Sequence, residues 1–135
     1  MIGEAETMKL VVEISAGELL DKIAILEIKR EKILDEAKLA NVRREYAALL
    51  QAFDMHIQQS DELSRLRVAL KDVNIELWRI EDEIRAQEKA GAFGDEFVAL
   101  ARSVYRMNDR RASIKREINA LLQSHIVEEK SYADY

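Results

Sequence analysis

Between Leu63 and Ile84 apolar residues recur at alternating spacings of three and four: Leu63, Leu66, Leu70, Val73, Leu77, Ile80 and Ile84. These are coiled-coil a and d positions, and they predict a long helix over 61–90, capped by Ser60 or Asp61. A second seam runs through Phe97, Leu100, Val104, Met107, Ile114, Ile118 and Leu121 and predicts a helix over 95–127. Gly91 and Gly94 punctuate the loop between them, and so short a connection makes the two helices an antiparallel hairpin. The second seam is interrupted, because the slot between Met107 and Ile114 holds Arg111, with Asn108 and Lys115 beside it. Burying an unpaired guanidinium is costly, so Arg111 must be paired, reach water at a cleft, or hold an anion.

The N-terminal half is less regular. Residues 1–8 lack a pattern and are expected to be a flexible leader. Lys9 to Ile14 alternates, with Leu10, Val12 and Ile14 on one side, as a short strand or extended arm does. A lone strand needs a ladder partner, either the same segment of a second subunit or none, in which case the arm packs over its own helices. Ser15 followed by Glu18 is a capping-box signature and opens a helix over 16–37. Its stripe is Leu19, Ile23, Leu26 and Ile33, yet Leu20, Ile25, Ile28 and Leu34 add apolar surface elsewhere. Such a helix lies in the middle of a bundle or at a subunit interface. Arg30 occupies the slot between Leu26 and Ile33, with Glu27 and Lys22 adjacent in projection. The periodicity slips around Lys38 to Asn41, where a turn or kink is needed. Asn41 would cap a helix over 42–58 carrying Val42, Tyr46, Leu49 and Phe53. The expected fold is all-α: four helices in a single domain over 9–135, preceded by a short extended segment.

The hairpin also predicts which residues share a level. Folding about Gly91 to Gly94 brings together residues whose numbers sum to roughly 185, because both helices rise equally per residue. Asn74 then lies level with Arg111, and Trp78 with Met107 and Asn108. A stripe of Asn74, Trp78, Glu81 and Arg85 faces one of Tyr105, Asn108, Ala112, Lys115 and Asn119, open to Glu27 and Arg30 of the first helix. The candidate binding layer is therefore Glu27, Arg30, Asn74, Trp78, Glu81, Tyr105, Asn108, Arg111 and Lys115. It is either a lock, with buried asparagines fixing register, Trp78 packing as an anchor and Glu81 pairing with Arg111, or a pocket in which Arg111 and Lys115 hold a carboxylate or phosphate.

Composition narrows the chemistry. The chain has 135 residues, 35% of them charged, and no proline, which suits long helices. It has no cysteine, and His56 and His125 stand apart without zinc-like spacing, so neither metal nor cofactor is expected. Di-iron bundles repeat a glutamate three residues before a histidine, and this chain has no such pattern. It also lacks a phosphate loop, nucleophile elbow or redox motif, so no catalytic residues are assigned. A net charge of -5 argues against nucleic acid as a partner. The cationic run from Arg102 to Arg116 reads first as a solvated face answered by Glu81, Asp82 and Glu83. His125 is expected to be a partly buried helix-end histidine. Nothing resembles an export signal or membrane span, which points to the cytoplasm.

The strings ISAGELLDKIAILEIKR (Ile14 to Arg30), KLANVRREY (Lys38 to Tyr46), VNIELWRIEDEIR (Val73 to Arg85), NDRRASIKREIN (Asn108 to Asn119) and EEKSY (Glu128 to Tyr132) resemble an uncharacterised family of small bacterial proteins. The resemblance covers the chain from about Met8 and implies a compact, cytoplasmic helical protein encoded near glycosyltransferase and surface-polysaccharide genes. It carries over no catalytic residue. Separately, Leu19 to Ile33 is similar in texture to the first helix of small all-helical chorismate mutases, intertwined dimers that bind a dicarboxylate among arginines, a lysine and a glutamate. This chain departs from them in having no arginine near the start of that helix. The expected function is a non-catalytic interaction or accessory protein assisting surface-polysaccharide assembly, with a protein partner there, homodimeric through its first helix. The alternative is a small-anion binder or chorismate-mutase-like enzyme using Arg30, Arg111 and Lys115. The tail from Glu128 to Tyr135 is expected to dock on the body or on a partner.

Overall fold

Three side-chain caps and one glycine set where the helices begin. Ser15, Asp35 and Ser60 each accept a hydrogen bond from the backbone N–H three residues on, and Gly94 opens the last helix without a side-chain cap. The computed structural model describes residues 7–134. Within them the chain is all-α, with four helices: α1 (Ala16–Lys32), α2 (Glu36–His56), α3 (Asp61–Ala90) and α4 (Asp95–Leu121). Most of the 1–8 leader lies outside the described residues. Lys9 to Ile14 forms no strand within the chain and is exposed.

The hairpin of α3 and α4 is as its periodicity predicts. Gly91 takes the left-handed conformation (φ 66°) after α3, and the Ala92 N–H bonds back to the Gln87 carbonyl, closing the helix end. Leu63, Leu70, Val73 and Ile80 of α3 are buried, as are Leu100, Ile114 and Ile118 of α4. Helix α1 packs against α2, α3 and α4 alike, which explains its all-round apolar surface. Leu20, Ile23, Leu26 and Ile28 are nearly inaccessible within one chain. Leu20 and Ile28, part of the apolar surface that suggested a subunit interface, are thus covered by the chain's own helices, while Leu34, just past the end of α1, stays exposed.

Two boundaries differ from the periodicity. The first turn falls at Ile33, Leu34 and Asp35 rather than at 38–41, because Leu39 is buried and begins the α2 stripe that continues through Val42, Tyr46 and Phe53. Asp35 therefore caps α2, accepting from the Lys38 N–H at 2.9 Å, and Asn41 lies inside the helix. Helix α4 stops at Leu121 instead of reaching 127. Gln123 adopts φ 51°, and the Ser124 N–H returns to the Asn119 carbonyl, the same closure that Gly91 gives α3.

Helices α1 and α4 are in close contact at Gly17, where an added Cβ would sit 2.5 Å from the Lys115 carbonyl oxygen. That neighbour is backbone and cannot rotate away. Gly17→Ala is expected to destabilise the fold by about 1–3 kcal/mol through overpacking, read as a lowered denaturant midpoint. An unchanged midpoint would show that the two helices part freely.

Candidate functional site

The Asp21 side chain, on α1, is completely buried where α1, α3 and α4 converge. One of its oxygens accepts from Asn74 Nδ2 of α3 at 2.8 Å and from Arg111 Nε of α4 at 3.0 Å. The other accepts from Arg111 Nε at 3.1 Å and, more closely, from Arg111 Nη2, a bidentate guanidinium–carboxylate pair. Lys115, one turn further along α4, places Nζ 3.7 Å from the same carboxylate and 2.6 Å from Glu18 Oε2. Glu128 of the C-terminal tail approaches Lys115 at 3.3 Å, and Glu129 binds Arg116 at 3.0 Å. Among the described residues no buried side-chain nitrogen or oxygen lacks a partner. The tail docks on the body, through carboxylates set against α4.

The carboxylates hold the two cations in their charged states. Hydrogen bonding to Asp21 raises the Arg111 pKa, with Glu18 and Glu128 adding to the effect. For Lys115 burial is the largest influence and acts downward, but the bond to Glu18 and the charges of Asp21, Glu18 and Glu128 outweigh it, so its pKa is raised.

The N-terminus of α1, otherwise a ready anion site, is sealed beside this cluster. Its first amide, Ala16 N–H, donates to Ser124 Oγ at 3.1 Å, and Gly17 N–H donates to the buried Asn119 Oδ1 at 2.7 Å. Glu18 N–H goes to the Ser15 hydroxyl and Leu19 N–H to the Ser15 carbonyl. All four leading donors of the helix are satisfied. The capping box is therefore half formed, since the Glu18 carboxylate reaches Lys115 and not back to Ser15. An ammonium of full opposite charge is a stronger partner for that carboxylate than a neutral amide.

Of the residues singled out by sequence, Asn74, Arg111 and Lys115 meet here, and the predicted level of Asn74 with Arg111 holds, because both bind Asp21. The others do not join them. Glu81 is exposed and pairs with Arg85 on its own helix at 3.5 Å, so it is not the partner of Arg111. Glu27 turns to Lys71 of α3 at 3.6 Å, and the Arg30 guanidinium lies 4.6 Å from the centre of the Tyr46 ring. Arg30 follows Asp21 by nine residues, about 13 Å of helix, too far to share its site. It faces a separate open cleft of about 300 Å³ with Glu27, Glu31, Leu39 and Arg43. Trp78 and Asn108 are half-buried, and Tyr105 is exposed six residues before Arg111, about 9 Å along the axis. Beside Lys115 lies a cavity of only about 20 Å³, lined also by Asn119 and Glu128, room for about one water.

Sequence reasoning missed Asp21 and Gly17, and it placed Asn119 in the α4 stripe without its role at the start of α1. Asp21 falls on the face of α1 that carries Gly17, Leu20 and Ala24, and a carboxylate among small and apolar residues was a usable signal for the counter-charge that Arg111 required. The acidic answer to the cationic run came from α1 and the tail, whereas Glu81 and Glu83 are engaged by Arg85 and Arg79 within α3. His125 lies beyond the end of α4, exposed, and its ring contacts the Glu13 carboxylate at the base of the N-terminal arm.

Residues 8–135 match the model of a family of unknown function (DUF6165). No curated protein and no solved structure matches the chain.

Removing Asp21 leaves Arg111 without its carboxylate, while Lys115 keeps Glu18 and Glu128, so Asp21→Ala is expected to cost about 3 kcal/mol in denaturant unfolding. In a double-mutant cycle Asp21→Ala and Arg111→Met should couple by more than about 1 kcal/mol, whereas additive effects would mean the pair is not the unit that matters. The Glu13 hydrogen bond raises the His125 pKa above its usual value near 6.5. A raised histidine contributes fully below its unfolded pKa, and the contribution disappears as pH rises through the folded value. The arm's tie to the body is thus an acid-side contact. In an NMR titration His125 should show a midpoint above 6.5 that falls on Glu13→Gln, and a midpoint indifferent to that change would remove the tie.

Proposed function

We propose that this chain, which belongs to that family of unknown function, is a non-catalytic helical accessory protein that works through protein contacts, with its polar layer serving as an internal lock. The observation that carries the reading is the occupancy of the cations. Arg111 and Lys115 are both engaged by carboxylates of their own chain, and Asp21 is fully buried beneath them. An anion entering this layer would have to displace two bonds from a buried carboxylate and leave that charge unpaired, which costs several kcal/mol before any binding is gained. Arg30, the third cation of the alternative reading, is elsewhere. None of the described helices is long and apolar enough to cross a membrane.

The cellular setting we propose is the bacterial cytoplasm, in surface-polysaccharide assembly, acting on a protein partner there and as a homodimer. That part is supported by the sequence strings quoted above and by exposed apolar residues at the N-terminal arm.

A thermal-shift screen against nucleotide sugars, sugar phosphates and small dicarboxylates separates the readings. The lock gives no saturable change. A ligand at about a hundred times its dissociation constant would raise the melting temperature by roughly 5–10 °C, and such a rise, lost in Arg111→Met with the fold intact, would establish the anion-binding or chorismate-mutase-like alternative instead. The accessory role predicts direct binding to a purified glycosyltransferase of the surface-polysaccharide system and reduced polysaccharide in a deletion strain. Normal polysaccharide and no such binding would contradict it.

A further inference from the structure

We propose that residues 8–14 of two copies pair as a two-stranded antiparallel ribbon centred on Val11, which deepens the homodimer part of the reading above. The segment has neither helix nor strand within one chain, and Met8, Leu10, Val11 and Val12 are between 74% and 95% exposed. Its backbone groups enter no backbone hydrogen bond among the described residues. An apolar, β-branched stretch with an open backbone is a template for a second strand.

The sequence Met-Lys-Leu-Val-Val-Glu-Ile selects both the partner and the register. Alternation puts Met8, Leu10, Val12 and Ile14 on one face and Lys9, Val11 and Glu13 on the other. With Val11 on a two-fold axis, Met8 faces Ile14, Leu10 faces Val12, and Lys9 faces Glu13 on both sides of the axis. Every apolar residue then meets an apolar one and every charge its opposite. Sliding the strands by one pair in either direction removes both charge pairs, and a parallel in-register arrangement sets lysine near lysine and glutamate near glutamate. A copy of this chain is therefore the occupant that the charges fit.

A two-stranded ribbon is marginal by itself, so its apolar face needs cover. The contact between Glu13 and His125 holds the base of each arm next to the segment bearing Ile126 and Val127, which are 37% and 43% exposed. These residues are apolar surface of the body close to the base of the arm, and the arms join the two copies through a surface separate from the buried faces of α1.

Sedimentation of the full chain with Lys9→Glu and Glu13→Lys tests this. The unaltered chain is expected to be a dimer. Either substitution alone places two like-charge pairs across the axis and should raise the dimer dissociation constant about tenfold or more. An equimolar mixture of the two variants should restore the dimer, because every pair between positions 9 and 13 again carries opposite charges, and only contact between chains can give that result. Circular dichroism should show full helix content throughout, as the arm lies off the core. A dimer indifferent to both substitutions, or a mixture that fails to recover, overturns the ribbon while leaving a homodimer by another surface. A monomer at every concentration overturns both.

Discussion

A single buried carboxylate ties three of the four helices together. Asp21 enters from α1, and its two oxygens are filled by an amide of α3 and a guanidinium of α4, with a lysine close behind. A charge in that position is tolerable only when donors surround it, and those donors sit in one register of the α3–α4 hairpin. A slip of one residue in either helix would turn Asn74 or Arg111 by about 100 degrees and strand the carboxylate. The cluster thus selects one packing from the several that a leucine-rich seam would accept. Its contribution lies more in specificity than in net stabilisation, since an apolar cluster of the same volume would serve stability as well.

The surrounding features make that burial possible. Gly17 lets α1 come close enough to α4 for Asp21 to reach Arg111, and Asn119 and Ser124 take up the amides that the close approach would otherwise leave unpaired. The tail then adds Glu128 and Glu129 on the outer side of α4. Positive and negative groups are matched from inside outward, so the cationic run on α4 that looks like a binding stripe is, over Arg111 to Arg116, consumed by the fold itself.

Much of this was legible in the residues. The heptads of α3 and the seam of α4 gave the hairpin, its glycine loop gave the antiparallel sense, and equal rise per residue put Asn74 level with Arg111. That Arg111 needed a partner also followed from burial cost. The partner's identity was harder to read, because the small and apolar neighbours of Asp21 mark it as a buried carboxylate decisively only once α1 is known to be enclosed by three helices. Glu81 seemed the better choice on the hairpin alone, and only the position of α1 decided against it. The misplaced helix ends have local causes. Leu39 begins the α2 stripe before the periodicity becomes obvious, and Gln123 does at the end of α4 what a glycine usually does. The arm's alternation fits a strand or an extended arm alike, and within one chain the segment is exposed and pairs with no strand.

The lock can be observed at one nitrogen. In a proton–nitrogen correlation spectrum the Arg111 Nε–H, shared between both Asp21 oxygens, should give a distinct resonance protected from exchange with water. It should stay in place when phosphate, sugar phosphates or dicarboxylates are added to saturation. A resonance that exchanges freely, or one that moves saturably with an added anion, would mean that Asp21 can be displaced and that the layer is a binding pocket after all.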